Sequence, residues 1–323
     1  MSNILDKEIE QGINLILKSK NIYIASHVQP DGDNLGSSLA LGLALKKIKK
    51  DVSILKVDEI PSDFLFLPGI DMIEEFNDEN EVDLFIVLDC GDEDRLGKNK
   101  NLTTRAKNII NIDHHISNTN FGDINIVDHN ASATCELVYE LINKMNIDID
   151  KSIATCLYTG ISTDTGSFMY DSTSARTHEI AAELIRFNID KNNININLYQ
   201  NRSLNRTNLF INVLGTLDMY CNDQVAIVEV TNKMLEETNT IMDDTEGIIS
   251  FVRSIDTVEI ALILKEKTPN QIKASIRSKR FVDVSEISLK FNGGGHKRAA
   301  GCTIDEPIEI AKELLLTEIK KVF

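Results

Sequence analysis

The stretch His27-Val28-Gln29-Pro30-Asp31-Gly32-Asp33-Asn34-Leu35-Gly36 puts one imidazole and two carboxylates within seven residues of each other. A short β-type run, Asn-Ile-Tyr-Ile-Ala-Ser at 21–26, precedes it. A segment with helical apolar spacing, Ser37 to Lys49, follows. The histidine and both aspartates therefore sit where a strand leaves a sheet, the crevice in which open α/β sheets bind ligands. Gly32 is expected to permit a tight turn between the aspartates, and Pro30 to stiffen the approach. Carboxylates this close repel unless a cation lies between them, and oxygen donors with one imidazole suit manganese or magnesium. Pro, Asp, Gly and Asn are also good turn formers, so the stretch taken alone leaves an ordinary turn open.

Similar groups recur at the ends of other apolar runs. Leu84–Leu88 delivers Asp89 to the same expected sheet edge. The run 108–113 closes on Asp113-His114-His115, where strand alternation is expected to let only one histidine face a given site. Gly160-Ile161-Ser162-Thr163-Asp164 puts a further carboxylate at a helix-to-loop junction. Each aspartate alone could be a helix cap or a turn residue. Together, several strand ends offering one Asp or His each describe a two-metal site, with Asp89 the best placed bridging carboxylate. His129 and His178 fall outside these loops and read as ordinary surface or helix residues.

Strands are expected at 22–26, 52–57, 84–89, 108–113 and 124–127, and helices at 37–49, 131–145, 151–162 and 174–186. This alternation predicts an α/β domain over residues 1–188, a mostly parallel sheet with helices on both faces. Residues 188–205 then hold seven asparagines in eighteen, and 189–219 reads as a linker and connecting helix. From 220 to 323 a smaller α+β domain is expected, with strands at 225–230, 258–264, 272–278 and 300–304. Helices there are expected at 285–291 and 308–322, with a loop at Gly293–Gly295. The 323 residues carry a net charge of −16, which disfavours tracking along long nucleic acid. Residues 273–298 run against that average at +5 and lead through the glycines, which raises the case for an anion site there. No apolar run is long enough to span a membrane and no signal peptide is evident. Five scattered cysteines fit a reducing cytoplasm better than disulfides or a zinc site.

The set His27-x-x-x-Asp31-x-Asp33, Asp89, Asp113-His114-His115 and Asp164 resembles the DHH phosphoesterase superfamily. Gly293-Gly294-Gly295-His296-Lys297-Arg298-Ala299-Ala300-Gly301 resembles the DHHA1 domain that accompanies one branch of it. The resemblance implies two divalent ions, manganese first, as cofactors. His27, Asp31 and Asp89 would hold one, and Asp33, Asp89, His114 and Asp164 the other. Asp89, Asp113, His114 and His115 would form the catalytic set, with Asp113 and His115 orienting ligands or contacting phosphate. Gly294, Gly295, His296 and Arg277, with Arg298 and Arg253, would bind the end of the substrate away from the scissile bond.

The implied activity is hydrolysis of short RNA oligonucleotides to 5′-mononucleotides, with removal of the 3′-phosphate from adenosine 3′,5′-bisphosphate. A cyclic-di-AMP or linear di-AMP phosphodiesterase is the alternative, since the same metals serve both. A nucleotide sensor without turnover is the reading from another class. No long duplex nucleic acid and no membrane are expected as partners, and a homodimer is compatible with the resemblance.

Overall fold

The computed structural model describes residues 3–77 and 81–323. The chain divides into two compact units, Met1–Asn201 and Arg202–Phe323. The first unit opens with α1 (Asn3–Lys18), β1 (Asn21–Ala25), α2 (Gly32–Lys47), β2 (Asp51–Leu55), β3 (Ile73–Glu74) and β4 (Leu84–Leu88). It continues with α3 (Leu102–Arg105), β5 (Ile109–Asp113), β6 (Ile124–Val127), α4 (Thr134–Lys144), α5 (Lys151–Asp164), α6 (Ala175–Ile185) and α7 (Lys191–Tyr199). Its six strands lie in the order β3-β2-β1-β4-β5-β6, every pairing parallel.

β4 and β5 are buried at all five positions, because a parallel strand flanked on both faces has no solvated side. Ile24, Ile86 and Ile112 point into the larger core with Leu39, Leu41, Val138 and Leu157 of α2, α4 and α5. Ala25, Phe85 and Val87 point the other way, toward Leu96 and Leu102, so the second face is covered by short segments instead of long helices. α1 carries Leu5, Ile9 and Ile16 into the larger core. That helix was not among the expected elements, although its apolar spacing of three to four residues is the amphipathic signal.

α2 begins five residues before its expected start, with Asp31 as N-cap, its carboxylate accepting from Asp33 N and Asn34 N. Asp33 is thus inside the first helical turn and not beyond a loop turn. Gly32 has a different reason for being glycine than the one expected: a Cβ there would lie 2.3 Å from Thr163 Oγ1 on α5. Gly36 repeats this one turn later, 2.6 Å from the Cys156 carbonyl oxygen, so the glycines let α2 approach α5 closely.

The second unit holds α8 (Leu204–Leu214), β7 (Asp218–Tyr220), β8 (Val225–Val230), α9 (Asn232–Thr238), α10 (Ile248–Ser254) and β9 (Ile260–Thr268). After these come β10 (Gln271–Ser278), α11 (Val284–Leu289), β11 (Gly294–His296), β12 (Ala299–Ile304) and α12 (Ile308–Ile319). The sheet order is β11-β12-β10-β9-β8-β7, parallel only between β8 and β9. The expected glycine loop is in fact an edge strand: Gly294, Gly295 and His296 pair with Gly301, Ala300 and Ala299. Residues without side chains can pair as a strand wherever a neighbour offers a ladder, and β12 does so here. The asparagine-rich stretch forms α7, capped by Asp190 accepting from Asn193 N.

Candidate metal centre and active site

The carboxyl ends of β1, β4 and β5 and the end of α5 bring eight ionisable side chains together. His27 is 3% exposed and its Nδ1 lies 2.7 Å from the Val28 carbonyl. Donating there leaves the Nε2 lone pair facing Asp89 Oδ2 at 3.2 Å and Asp31 Oδ2 at 3.7 Å. His114 repeats the pattern: Nδ1 sits 3.2 Å from the Ala131 carbonyl. Its Nε2 then faces Asp164 Oδ2 at 3.2 Å and Asp89 Oδ1 at 3.6 Å. A lone pair aimed at a carboxylate oxygen is repulsive unless a proton or a cation lies between them. Both imidazoles are pre-set as ligands by the bond their other nitrogen makes.

Asp89 faces both histidines with different oxygens, Oδ2 toward His27 and Oδ1 toward His114. It occupies the left-handed backbone region, φ 53°, a rare and costly position for a residue other than glycine. The hydroxyl of Thr134 donates to its Oδ1 at 3.1 Å. Asp33 is fixed from across the fold. Its two oxygens accept from Thr134 N at 2.6 Å and Cys135 N at 2.9 Å, capping α4, whose own N-cap residue, Ala133, offers no side-chain acceptor. Asn34 ties the loop down by accepting from Ser26 Oγ and donating to the His27 carbonyl.

Two groups of ligand atoms come close enough to hold one ion each: His27, Asp31 and Asp89, and Asp33, His114 and Asp164. A third close group, Asp89, His114 and His115, also exists. His115 is the weaker ligand, because its Nδ1 is already engaged by Asp113 Oδ1 at 2.7 Å. That bond, aided by the Asp113 charge, pushes the His115 imidazole up to about 9, whereas a metal ligand must be neutral. Asp113 is held below the usual carboxylate range in spite of its burial, by hydrogen bonds from His115 and from Asn118 Nδ2 at 2.6 Å. Contrary to the alternation expected from a strand, both His114 and His115 approach Asp89, at 3.6 and 3.7 Å. β5 ends at Asp113, so strand geometry no longer governs the next two residues.

Electrostatics point the same way. Burial, with neighbouring carboxylates adding to it, pushes Asp33 up and Asp89 well above the usual range. Burial together with the Asp33 and Asp31 charges takes Asp164 to about 8. Buried carboxylates that oppose one another's ionisation are a site built around positive charge. The donor set, carboxylate oxygens and two imidazoles, fits a hard divalent ion.

Residues 21–161 match the DHH family N-terminal domain and residues 222–323 match the DHHA1 domain. The bifunctional oligoribonuclease and PAP phosphatase NrnA of Thermus thermophilus is 32% identical over 288 residues, which cover 88% of this chain and 84% of that protein. The chain belongs to the DHH family. As a DHH protein with a DHHA1 domain it is a hydrolase acting on phosphoester bonds. The Bacillus subtilis protein of the same name is 28% identical, over 91% of this chain and 93% of that one. An exopolyphosphatase-related protein from Bacteroides fragilis superposes with a TM-score of 0.90 at 30% identity, covering 99% of this chain and 98% of that one. RecJ of Thermus thermophilus, solved with Mn2+, shares the fold at TM-score 0.54 and 14% identity, over 98% of this chain and 55% of that one.

In the DHHA1 unit, Arg277 of β10 and Arg253 of α10 lie near enough that burial and the Arg253 charge both lower the Arg277 guanidinium. Arg298 donates to the carbonyls of Val282 (2.9 Å) and Arg280, which braces the turn between β10 and α11. Glu259, missed in the sequence, is 4% exposed and accepts from the backbone N–H groups of Arg280, Phe281 and Val282 in that same turn. Its signal was faint, a lone Glu before an apolar run. Gly293 and Gly295 are required by the chain itself: a Cβ would meet the Gly301 oxygen at 2.3 Å and the Ala299 oxygen at 2.5 Å. A Cβ on Gly294 would meet nothing within 4 Å. Among the described residues no helix is long and apolar enough to cross a membrane.

Proposed function

We propose that this protein degrades short oligoribonucleotides to 5′-mononucleotides with two divalent ions, manganese first, and removes the 3′-phosphate from adenosine 3′,5′-bisphosphate. The observation that carries the reading is Asp89, which turns one oxygen to each histidine-carboxylate group. His27, Asp31 and Asp89 would hold one ion, and Asp33, Asp89, His114 and Asp164 the other. What such ions supply is an activated water and neutralised charge at the phosphoryl centre.

The chain's own groups do the rest. Asp33 and Asp89 are locked by backbone and hydroxyl donors, so no reorganisation is needed when substrate arrives. Asp113 keeps His115 protonated at neutral pH, leaving its Nε2–H to stabilise a phosphate oxygen. In the DHHA1 unit, Arg277, Arg253, His296 and the open backbone of Gly294 and Gly295 form an anion-binding face for the far end of the substrate, while Arg298 positions it. A clamp on the substrate's far end favours short substrates, and the net charge of −16 disfavours long nucleic acid. The NrnA names of the relatives support the same substrates.

The test is hydrolysis of a 5′-labelled RNA dinucleotide with manganese and with EDTA, beside linear and cyclic di-AMP. Fast manganese-dependent cleavage of the RNA dimer, with the cyclic compound slow, is expected. Faster cleavage of cyclic di-AMP would move the protein to second-messenger turnover. Tight binding with no turnover would make it a sensor.

A further inference from the structure

A cavity of about 500 Å³ opens immediately after Asp164, lined by Gly166, Ser167, Met169, Tyr170, Asn195, Tyr199 and Gln200. It falls within the 300–1,000 Å³ typical of small-molecule pockets. Its wall begins two residues past Asp164, so the Gly166 Cα is at most about 7.6 Å from the Cα of that carboxylate's residue.

The walls are built and not incidental. Tyr199 is pinned to α5 by its hydroxyl, 2.8 Å from Ser162 Oγ and 3.0 Å from the Ser162 carbonyl. Tyr170 lies across Gly166: a Cβ on that glycine would come within 2.4 Å of its ring. Gly166, Ser167 and Phe168 are consecutive left-handed residues, with φ of 55°, 59° and 66°. Buried Thr165 holds that shape, its hydroxyl accepting from Phe168 N and its carbonyl from Met169 N and Tyr170 N. Side chains here stay exposed in spite of that order: Tyr170 is 58% and Met169 78% accessible. Among the described residues the amides of Asn195 and Gln200 have no hydrogen-bond partner. Flat aromatic and thioether surface beside two free amides suits a planar ligand with a hydrogen-bonding edge.

We propose that this pocket holds the nucleobase of the nucleotide bearing the scissile phosphate. Tyr170 and Met169 cover the base, pinned Tyr199 backs it, and Asn195 and Gln200 meet its edge. The proposal rests on the nucleotide-hydrolase reading above and makes Tyr170 a specificity residue of that site.

The test compares an RNA dinucleotide with analogues in which one or the other base is replaced by hydrogen. The native protein should prefer the intact dimer over one of the two abasic analogues by about tenfold in kcat/KM, the scale of one base–aromatic stack. Tyr170→Ala should lose that preference through KM, and Tyr170→Phe should keep it. Retention of the full preference by Tyr170→Ala, or absence of any preference in the native protein, overturns the proposal. Absence of turnover of every dimer with manganese would defeat the hydrolase reading instead. The pocket is then decided by calorimetric titration with AMP and with ribose 5-phosphate. AMP bound about tenfold more tightly, in the native protein and not in Tyr170→Ala, supports the pocket, and equal affinities overturn it.

Discussion

The strand-edge cluster of the first unit and the glycine hairpin of the second both meet phosphate in this account, by opposite means. The cluster works through side chains of which His27, Asp33, Asp89 and Asp113 are buried and held by partners, and burial with neighbouring charge opposes the ionisation of Asp33, Asp89 and Asp164. The hairpin is proposed to work through exposed backbone, where the missing side chain leaves the peptide groups open. Function in the first unit is therefore in tension with stability. In the second, Gly294, where a side chain would meet nothing, lies between Gly293 and Gly295, which the fold requires to be glycine.

The largest effect expected from this contrast comes at Asp89. Asp89→Asn keeps the Thr134 bond and tolerates the left-handed backbone. It should cost about a thousandfold or more in kcat, several kcal/mol of transition-state stabilisation. The same change removes a carboxyl whose ionisation the fold opposes, so the metal-free variant should melt higher than the native metal-free protein. Loss of activity together with a lower melting temperature would break the tension argued for the cluster.

The second effect is on stability against pH. Asp164 is raised from 3.8 to about 8, so between those values the folded state holds a proton that the unfolded chain releases. Stability of the metal-free protein should fall as pH rises through this window, by up to about 1.4 kcal/mol per pH unit from this group, and level off above it. Denaturant titrations at several pH values measure the slope, and manganese should flatten it. A metal-free stability that rises from pH 4 to 8 would contradict the charge assignment.

Smaller effects sharpen the hairpin side. Gly293→Ala should destabilise the DHHA1 unit by about 2 kcal/mol through its collision with backbone. Gly294→Ala should leave the melting temperature unchanged and raise KM, read by thermal unfolding and steady-state kinetics side by side. The smallest change is a displacement of a pH profile. Removing the charged partner with Asp113→Asn should move His115 down from about 9 toward the ordinary value near 6.5. The alkaline fall in kcat/KM should move with it, and a ring-proton NMR titration of His115 checks the assignment directly.

The sequence made the donors legible because each stands at the end of an apolar run: Asp89 after Leu84–Leu88, His114 after Ile109–Asp113, Asp164 at the close of α5. Parallel strands deliver their last residues to one edge, so a one-dimensional pattern already carried the site. What holds the donors was not legible. Asp33 caps a helix 101 residues further on, and Thr134 reaches Asp89 across 45 residues. Such pairings exist only once α2, α4 and β4 pack, and nothing local marks them. Gly32 was assigned to a turn because sequence cannot separate a glycine needed for φ from one needed for close helix packing. The hairpin was read as a loop for a related reason, since glycine carries no side chain to betray a ladder. The pocket at Tyr170 escaped because its walls come from α7 and the turn after α5, segments that read as an asparagine-rich connection and the loop side of a helix-to-loop junction.

Asp89 is proposed to be shared between two ions, and manganese anomalous diffraction from crystals grown with the metal would show it. Two peaks about 3.5–4 Å apart, one beside His27 and Asp31 and the other beside Asp33, His114 and Asp164, with a different Asp89 oxygen turned to each, are the expected result. A single peak held by Asp89, His114 and His115, with His27 and Asp31 unliganded, would contradict it.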